Sequence, residues 1–171
     1  MGGAAHLVKR FVGSVPVGPT AADQTWAAEQ LLESERDIWR KMSRADRRHA
    51  AGVARRVEVA LGHEATRPVL AAALLHDCGK TVSGLGTYGR VIATLSGKMA
   101  GLDQAVAWSE TTGFTRRVGL YLEHPRLGAE LLGLAGSAPL TVAWTAEHHL
   151  PPEQWTVPVA IGQVLRDADD D

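Results

Sequence analysis

Apolar residues recur along much of this chain at the spacing of helix faces. Val53, Val57, Ala60 and Leu61 follow His49 at steps of four, eight, eleven and twelve, one apolar stripe of an amphipathic helix. Trp144 and His148 follow Leu140 at steps of four and eight, and Asp167 lies seven after Ala160 and three after Val164. The run from Pro68 to Leu75 is apolar without interruption, as in a helix buried on every side. Capping and breaking residues set the expected boundaries. Thr20 caps a helix through about Leu32, Ser34 a second through about Met42, and Ser43 opens a long one to about Leu61. Thr66 to Asp77 forms the next. Residues 79–101 are glycine-rich and poorly periodic, with one short helix near Tyr88–Leu95. Further helices are expected around Gln104–Ser109, Phe114–Leu122, Pro125–Leu134, Leu140–His149 and Pro158–Asp169. No alternating pair of strands and no internal repeat interrupts this series, so the expected fold class is all-α.

Residues 1–20, with Gly2, Gly3, Gly13, Pro16, Gly18 and Pro19, read as an N-terminal arm. Residues 21–171 read as one domain, long enough to bury a real core. The net charge of −1 provides no field to attract nucleic acid non-specifically. Arg47-Arg48, Arg55-Arg56 and Arg116-Arg117 read as solvated helix faces. A single cysteine excludes an internal disulfide framework and fits a reducing compartment. No apolar run approaches the roughly 18 residues of a membrane span, and no signal-peptide core opens the chain. A cytoplasmic location is the expectation. Gly84-Leu85-Gly86-Thr87-Tyr88-Gly89 matches a dinucleotide fingerprint by letters only, because no strand precedes it. It reads as a glycine-rich loop.

The candidate chemistry starts at His76-Asp77, which ends the apolar run and is followed by Cys78, Gly79 and Lys80. A charged dyad at the end of a buried helix must be paired, solvated or bound to metal. An imidazole nitrogen beside a carboxylate oxygen suits a divalent first-row ion, and Gly79 reads as a helix-ending residue. His49, His148 and Asp167 face inward on three other helices by the spacing above. One shared metal accounts for all of these polar burials together. His124, before Pro125, reads as a helix cap. His148 and His149 would point about 100° apart on a regular helix. Both serve one site only where the helix ends, and Pro151-Pro152 marks such an end. His6 and His63 are assigned no chemistry. Cys78 reads as a small buried hydrophobe, and Trp155 is a candidate for the pocket mouth. Asp169-Asp170-Asp171 reads as a solvated tail.

His49, His76-Asp77 and a distant Asp167, taken in this order, resemble the HD superfamily of metal-dependent phosphohydrolases. The stretches His76-Asp77-Cys78-Gly79-Lys80, His124-Pro125-Arg126-Leu127-Gly128 and Glu147-His148-His149 resemble its HD-GYP branch. The resemblance covers about residues 45–169. It implies a single HD-domain helical bundle with a binuclear His/Asp metal centre. His49, His76, Asp77 and Asp167 would hold one ion. His124, His148 and His149 would hold a second, with Asp77 bridging. Asp77 would be catalytic through that bridge, and Lys80 would contact substrate phosphate. The chain departs from the branch after its paired histidines. It reads Leu150-Pro151-Pro152-Glu153-Gln154-Trp155 in place of a Gly-Tyr-Pro run, so cyclic diguanylate is not the expected substrate. Ala45 stands where some members place a third-metal Glu, so two ions are expected at most.

The resemblance thus implies hydrolysis of a small phosphoester, a nucleotide or cyclic nucleotide, by a two-ion centre. Iron or manganese is favoured, with Zn, Ni, Co or Mg as alternatives. The rival is a non-catalytic module that keeps the metal and binds or senses a nucleotide.

Overall fold

A computed structural model describes residues 18–86, 89–90, 93–94 and 102–170. Among these the secondary structure is helical throughout, with no strand. The helices are α1 Ala21–Gln30, α2 Glu33–Lys41, α3 Arg44–Leu61, α4 Arg67–Leu75, α5 Lys80–Ser83, α6 Leu102–Ser109, α7 Gly113–Leu122, α8 His124–Leu134, α9 Pro139–Glu147 and α10 Val159–Asp170. Short 3₁₀ turns lie at Gly62–Glu64 and Pro152–Gln154. Most of the expected N-terminal arm, the middle of the glycine-rich segment with Tyr88, and Asp171 lie outside the described residues.

Helix α4 is the centre of the bundle. Every residue from Val69 to Leu75 is buried, which explains its unbroken apolar composition. It packs between α3 and α9, with α1 against a further side. Helix α10 lies on α3, and α8 lies on α9. Leu31, Val53, Val57, Leu74, Leu75, Leu132 and Leu165 fill the interior. An outer layer is built on this bundle. The α6–α7 hairpin packs on α5 around a separate small cluster of Leu85, Ala93 and Val118.

Caps explain several boundaries. Thr20 Oγ1 accepts from Asp23 N and Ser43 Oγ accepts from Asp46 N, both at 3.1 Å, as expected from the sequence. Ser34 does not cap α2. Its hydroxyl donates across the bundle to Ala135 O at 2.7 Å, and α2 begins one residue earlier. There Glu35 reaches back to Leu32 N at 2.8 Å, so a local carboxylate does the work expected of the serine.

Candidate metal centre

The dyad turn is made by backbone, not by a left-handed glycine. His76 follows α4 in right-handed conformation, Cys78 N bonds Leu75 O at 2.9 Å, and Lys80 N bonds Asp77 O at 3.1 Å. Gly79 has φ −63°; the positive φ of 58° belongs to Gly84, after α5. The expectation that Gly79 ends the helix therefore needs correcting. Its requirement is space: a Cβ there would lie 2.0 Å from His124 O and 2.6 Å from Gly128 N. At Gly128 a Cβ would meet Thr145 Cγ2 at 2.9 Å and Cys78 Sγ at 3.2 Å. Two glycines thus let the start of α8 lie directly on the dyad turn, which brings His124 to Asp77.

Three imidazoles are fixed in the same way. His76 Nδ1 faces Ala73 O at 2.9 Å, His124 Nδ1 faces Tyr121 O at 2.7 Å, and His148 Nδ1 faces Thr145 O at 2.9 Å. A carbonyl oxygen only accepts, so each Nδ1 carries the proton and donates it. At His124 and His148, which burial keeps neutral, Nε2 is then a bare lone pair; at His76 the flanking Asp77 and Asp169 hold a second proton on the ring. All three Nε2 atoms are buried without a hydrogen-bond partner. Buried polar atoms are normally satisfied, so three orphans at one place need a cause.

They converge on one carboxylate. Asp77 Oδ1 lies 3.3 Å from His124 Nε2 and 3.8 Å from His148 Nε2, and Oδ2 lies 3.5 Å from His76 Nε2. With His124 and His148 neutral, their contacts set lone pair against lone pair, which repels unless a cation sits among them. His149 completes the set. Helix α9 stops at Glu147, and the turn after it brings both rings to one side, His148 buried and His149 exposed. Their centroids are 4.0 Å apart, and His149 lies 5.2 Å from His124. The donor atoms of His124, His148 and His149 lie within 4.8 Å of one another, as do those of His49, His76 and Asp77. His149 is the exposed member of its group.

Beside the second group stands Asp169 rather than the expected Asp167. Asp169 Oδ1 lies 2.7 Å from His49 Nε2 and 3.5 Å from His76 Nε2. Asp167 is exposed and accepts from Gln163 Nε2 at 2.7 Å, on the far side of α10. The error was one of helical phase. Ala160 anchored the expected stripe but is exposed, whereas Gly162, Leu165 and Ala168 are buried. Gly162 packs on Trp155, where a Cβ would meet Cε3 at 2.7 Å. A stripe through Ile161, Leu165, Ala168 and Asp169, at steps of four, seven and eight, was legible all along.

Electrostatics separate the groups. Burial lowers His124, lowers His148 well below its ordinary value, and takes His149 down to about 4, with neighbouring cations adding to the effect at each. These rings are neutral, ready donors. At His76 burial also lowers the pKa, but Asp77 and Asp169 outweigh it and raise the value to about 10. A field that holds a proton between two carboxylates favours a divalent cation in the same place. Burial would raise Asp77, but Lys80 and His76 hold it well below the carboxylate range. Lys80 Nζ donates to Asp77 Oδ2 from α5, and both side chains are buried. The donor chemistry fits divalent first-row ions, with three imidazoles on one side and a mixed nitrogen–oxygen set on the other.

Neighbouring residues have other partners. Asp46 accepts from Arg90 Nη1 at 2.7 and 2.8 Å and from Ser43 Oγ at 2.7 Å. Glu147 accepts from Thr156 N and Oγ1 and so pins the loop after α9. Trp155 does not line a mouth. It stacks edge-on against Trp144 with centroids 5.4 Å apart, and its indole N–H donates to Leu150 O. Cys78 is fully buried, and burial next to Asp77 pushes its thiol up to about 12, consistent with an inert core residue. His124 is buried at the first position of α8 rather than capping it from outside. His63 is exposed, and His6 lies outside the described residues.

Compared with protein-family models, curated proteins and solved structures, the chain matches none. No described helix is long and apolar enough to cross a membrane.

Proposed function

We propose that this chain is a metal-dependent phosphohydrolase of the HD-domain type, acting on a small phosphoester such as a nucleotide or cyclic nucleotide. The observation that carries the reading is the convergence of three buried, unpartnered Nε2 atoms, from His76, His124 and His148, on the carboxylate of Asp77. In this reading His49, His76, Asp77 and Asp169 hold one divalent ion. His124, His148, His149 and Asp77 hold the other. Asp169 takes the role first expected of Asp167.

Bound metal supplies Lewis acidity, which activates water near neutral pH and offsets charge on a phosphoryl oxygen. The chain's own residues prepare for that chemistry. The carbonyls of Ala73, Tyr121 and Thr145 lock three rings in one tautomer and orientation. The dyad turn fixes Asp77 between both ligand groups. Lys80, on the next turn, is the buried ammonium available to a phosphoryl oxygen, where charge develops during transfer. His149 and half-buried His49 stand at the solvent side, where substrate enters.

The test combines elemental analysis with turnover. Protein purified without chelator should carry between one and two transition-metal ions per chain and should hydrolyse a generic phosphodiester. Lys80→Ala should keep its metal and lose about ten- to hundred-fold in rate, the scale of one charge-assisted contact. A chain that rejects Fe, Mn, Co, Ni and Zn ends the metal reading. Metal without turnover, together with nucleotide-induced thermal stabilisation, favours a sensing module.

A further inference from the structure

The two ligand groups differ in what their donor atoms are doing before any ion arrives. In the three-imidazole group, His124 Nε2 and His148 Nε2 are unpartnered. They face Asp77 Oδ1, the oxygen turned away from Lys80. His149 stands beside them at the surface. In the mixed group the donors are engaged with one another. His49 Nε2 and Asp169 Oδ1 form a 2.7 Å hydrogen bond, and Asp77 Oδ2 is held by Lys80. Of that group only His76 Nε2 has no hydrogen-bond partner.

We infer that the centre fills in order: a first divalent ion enters the His124, His148 and His149 group, and a second enters the His49, His76 and Asp169 group more weakly. This rests on the metal-dependent reading above. Filling the first group breaks no hydrogen bond among its donors and relieves the facing lone pairs. Filling the second must open the His49–Asp169 bond and share Asp77 Oδ2 with Lys80. One charge-assisted hydrogen bond lost on binding weakens affinity by about ten- to hundred-fold. The centre therefore has a stable one-ion state, and the second ion is the one whose supply decides whether both groups are filled.

Titration of the metal-stripped full chain with Co²⁺ tests the order. Visible d–d absorption follows the ligand field, and native mass spectrometry counts ions per chain. Two steps are expected, with dissociation constants at least about ten-fold apart. His149→Ala, at an exposed position, should weaken the tight step by about ten-fold or more. His49→Ala and, independently, Asp169→Asn should remove the weak step and leave the tight one within about three-fold. Circular dichroism on each variant reports whether the helices persist, and the wild-type titration stands whatever the variants do. Two ions entering in a single step, or a tight step lost in both His49→Ala and Asp169→Asn, overturns the order while leaving the metal reading intact. No uptake of Co²⁺ overturns both.

Discussion

The bundle around α4 and the layer built on α5 to α7 are held together differently. From Val69 to Leu75 α4 has no exposed residue, and it touches α3, α9 and α1. Among the described residues the outer layer has a small buried cluster of Leu85, Ala93 and Val118, with Trp108, Tyr121 and Leu122 packed against it. The candidate centre draws on both. His49, His76, Asp77, His148, His149 and Asp169 come from α3, α4, α9 and α10 or the turns that follow them. Lys80 stands on α5, and His124 begins α8 against the end of α7. Most donors are therefore set by the bundle core, and Lys80 is carried by the layer whose cluster is smaller among the described residues. Regions with few buried apolar contacts open locally at lower free energy.

The largest expected effect breaks the core side. Leu74→Ala removes a fully buried side chain from the central helix and should cost about 2–5 kcal/mol. Val118→Ala in the small cluster removes two methyl groups and should cost about 1.5 kcal/mol. Denaturant midpoints of the two variants measure the gap, and equal losses would abolish the contrast.

Gly79→Ala joins the regions, because the new Cβ meets the backbone of His124 and Gly128. Overpacking of this kind costs about 1–3 kcal/mol. The displacement should separate His124 from Asp77, so metal content should fall while helical circular dichroism remains. Normal metal content in a folded Gly79→Ala variant would show that the close approach does not set the site.

A pH titration of the metal-free protein sharpens the comparison. His149 has a folded pKa of about 4 against an ordinary 6.5, and His124 and His148 shift the same way. The unfolded chain then binds protons that the folded one does not, so stability falls as pH drops from about 6.5 toward 4. His76 acts oppositely. Its pKa of about 10 lends stability that is present below 6.5 and lost as pH rises through 10. Urea midpoints should therefore decline on both sides. His149→Ala should flatten the acid limb, and an unchanged limb would remove His149 from the account.

Asp167→Asn carries the smallest effect. An exposed carboxylate bonded only to Gln163 should be replaceable within about 0.5 kcal/mol with metal content intact. Asp169→Asn should reduce metal content. The reverse result would restore the original phase of α10.

Much of this contrast could be read from residue order. The all-helical class, most helix spans, the inward turn of His148 and the dyad at the end of α4 follow from apolar spacing, because burial of one face imposes a period near 3.6. The convergence of His148 with His149 followed from Pro151-Pro152 ending the helix. Phase at a ragged amphipathic end was less secure. A buried glycine, Gly162, scores as neutral, and an exposed alanine, Ala160, scores as apolar, so apolar spacing turns Asp167 inward where the fold turns Asp169. Ser34 reads locally as a cap, and only the fold brings it to its acceptor, Ala135 O, 101 residues away in the chain.

What the sequence determined by itself is local: which faces are apolar, where helices stop, and which residues carry ligand chemistry. Whether His124 and Asp77 meet is not local. It depends on the start of α8 closing over Gly79, a contact between segments whose separation leaves no periodic trace. The three unpartnered Nε2 atoms belong to the same class. Each Nδ1 is held by a carbonyl three residues back, but the Nε2 atoms become unpartnered and converge only when packed helices exclude water and bring them to one carboxylate.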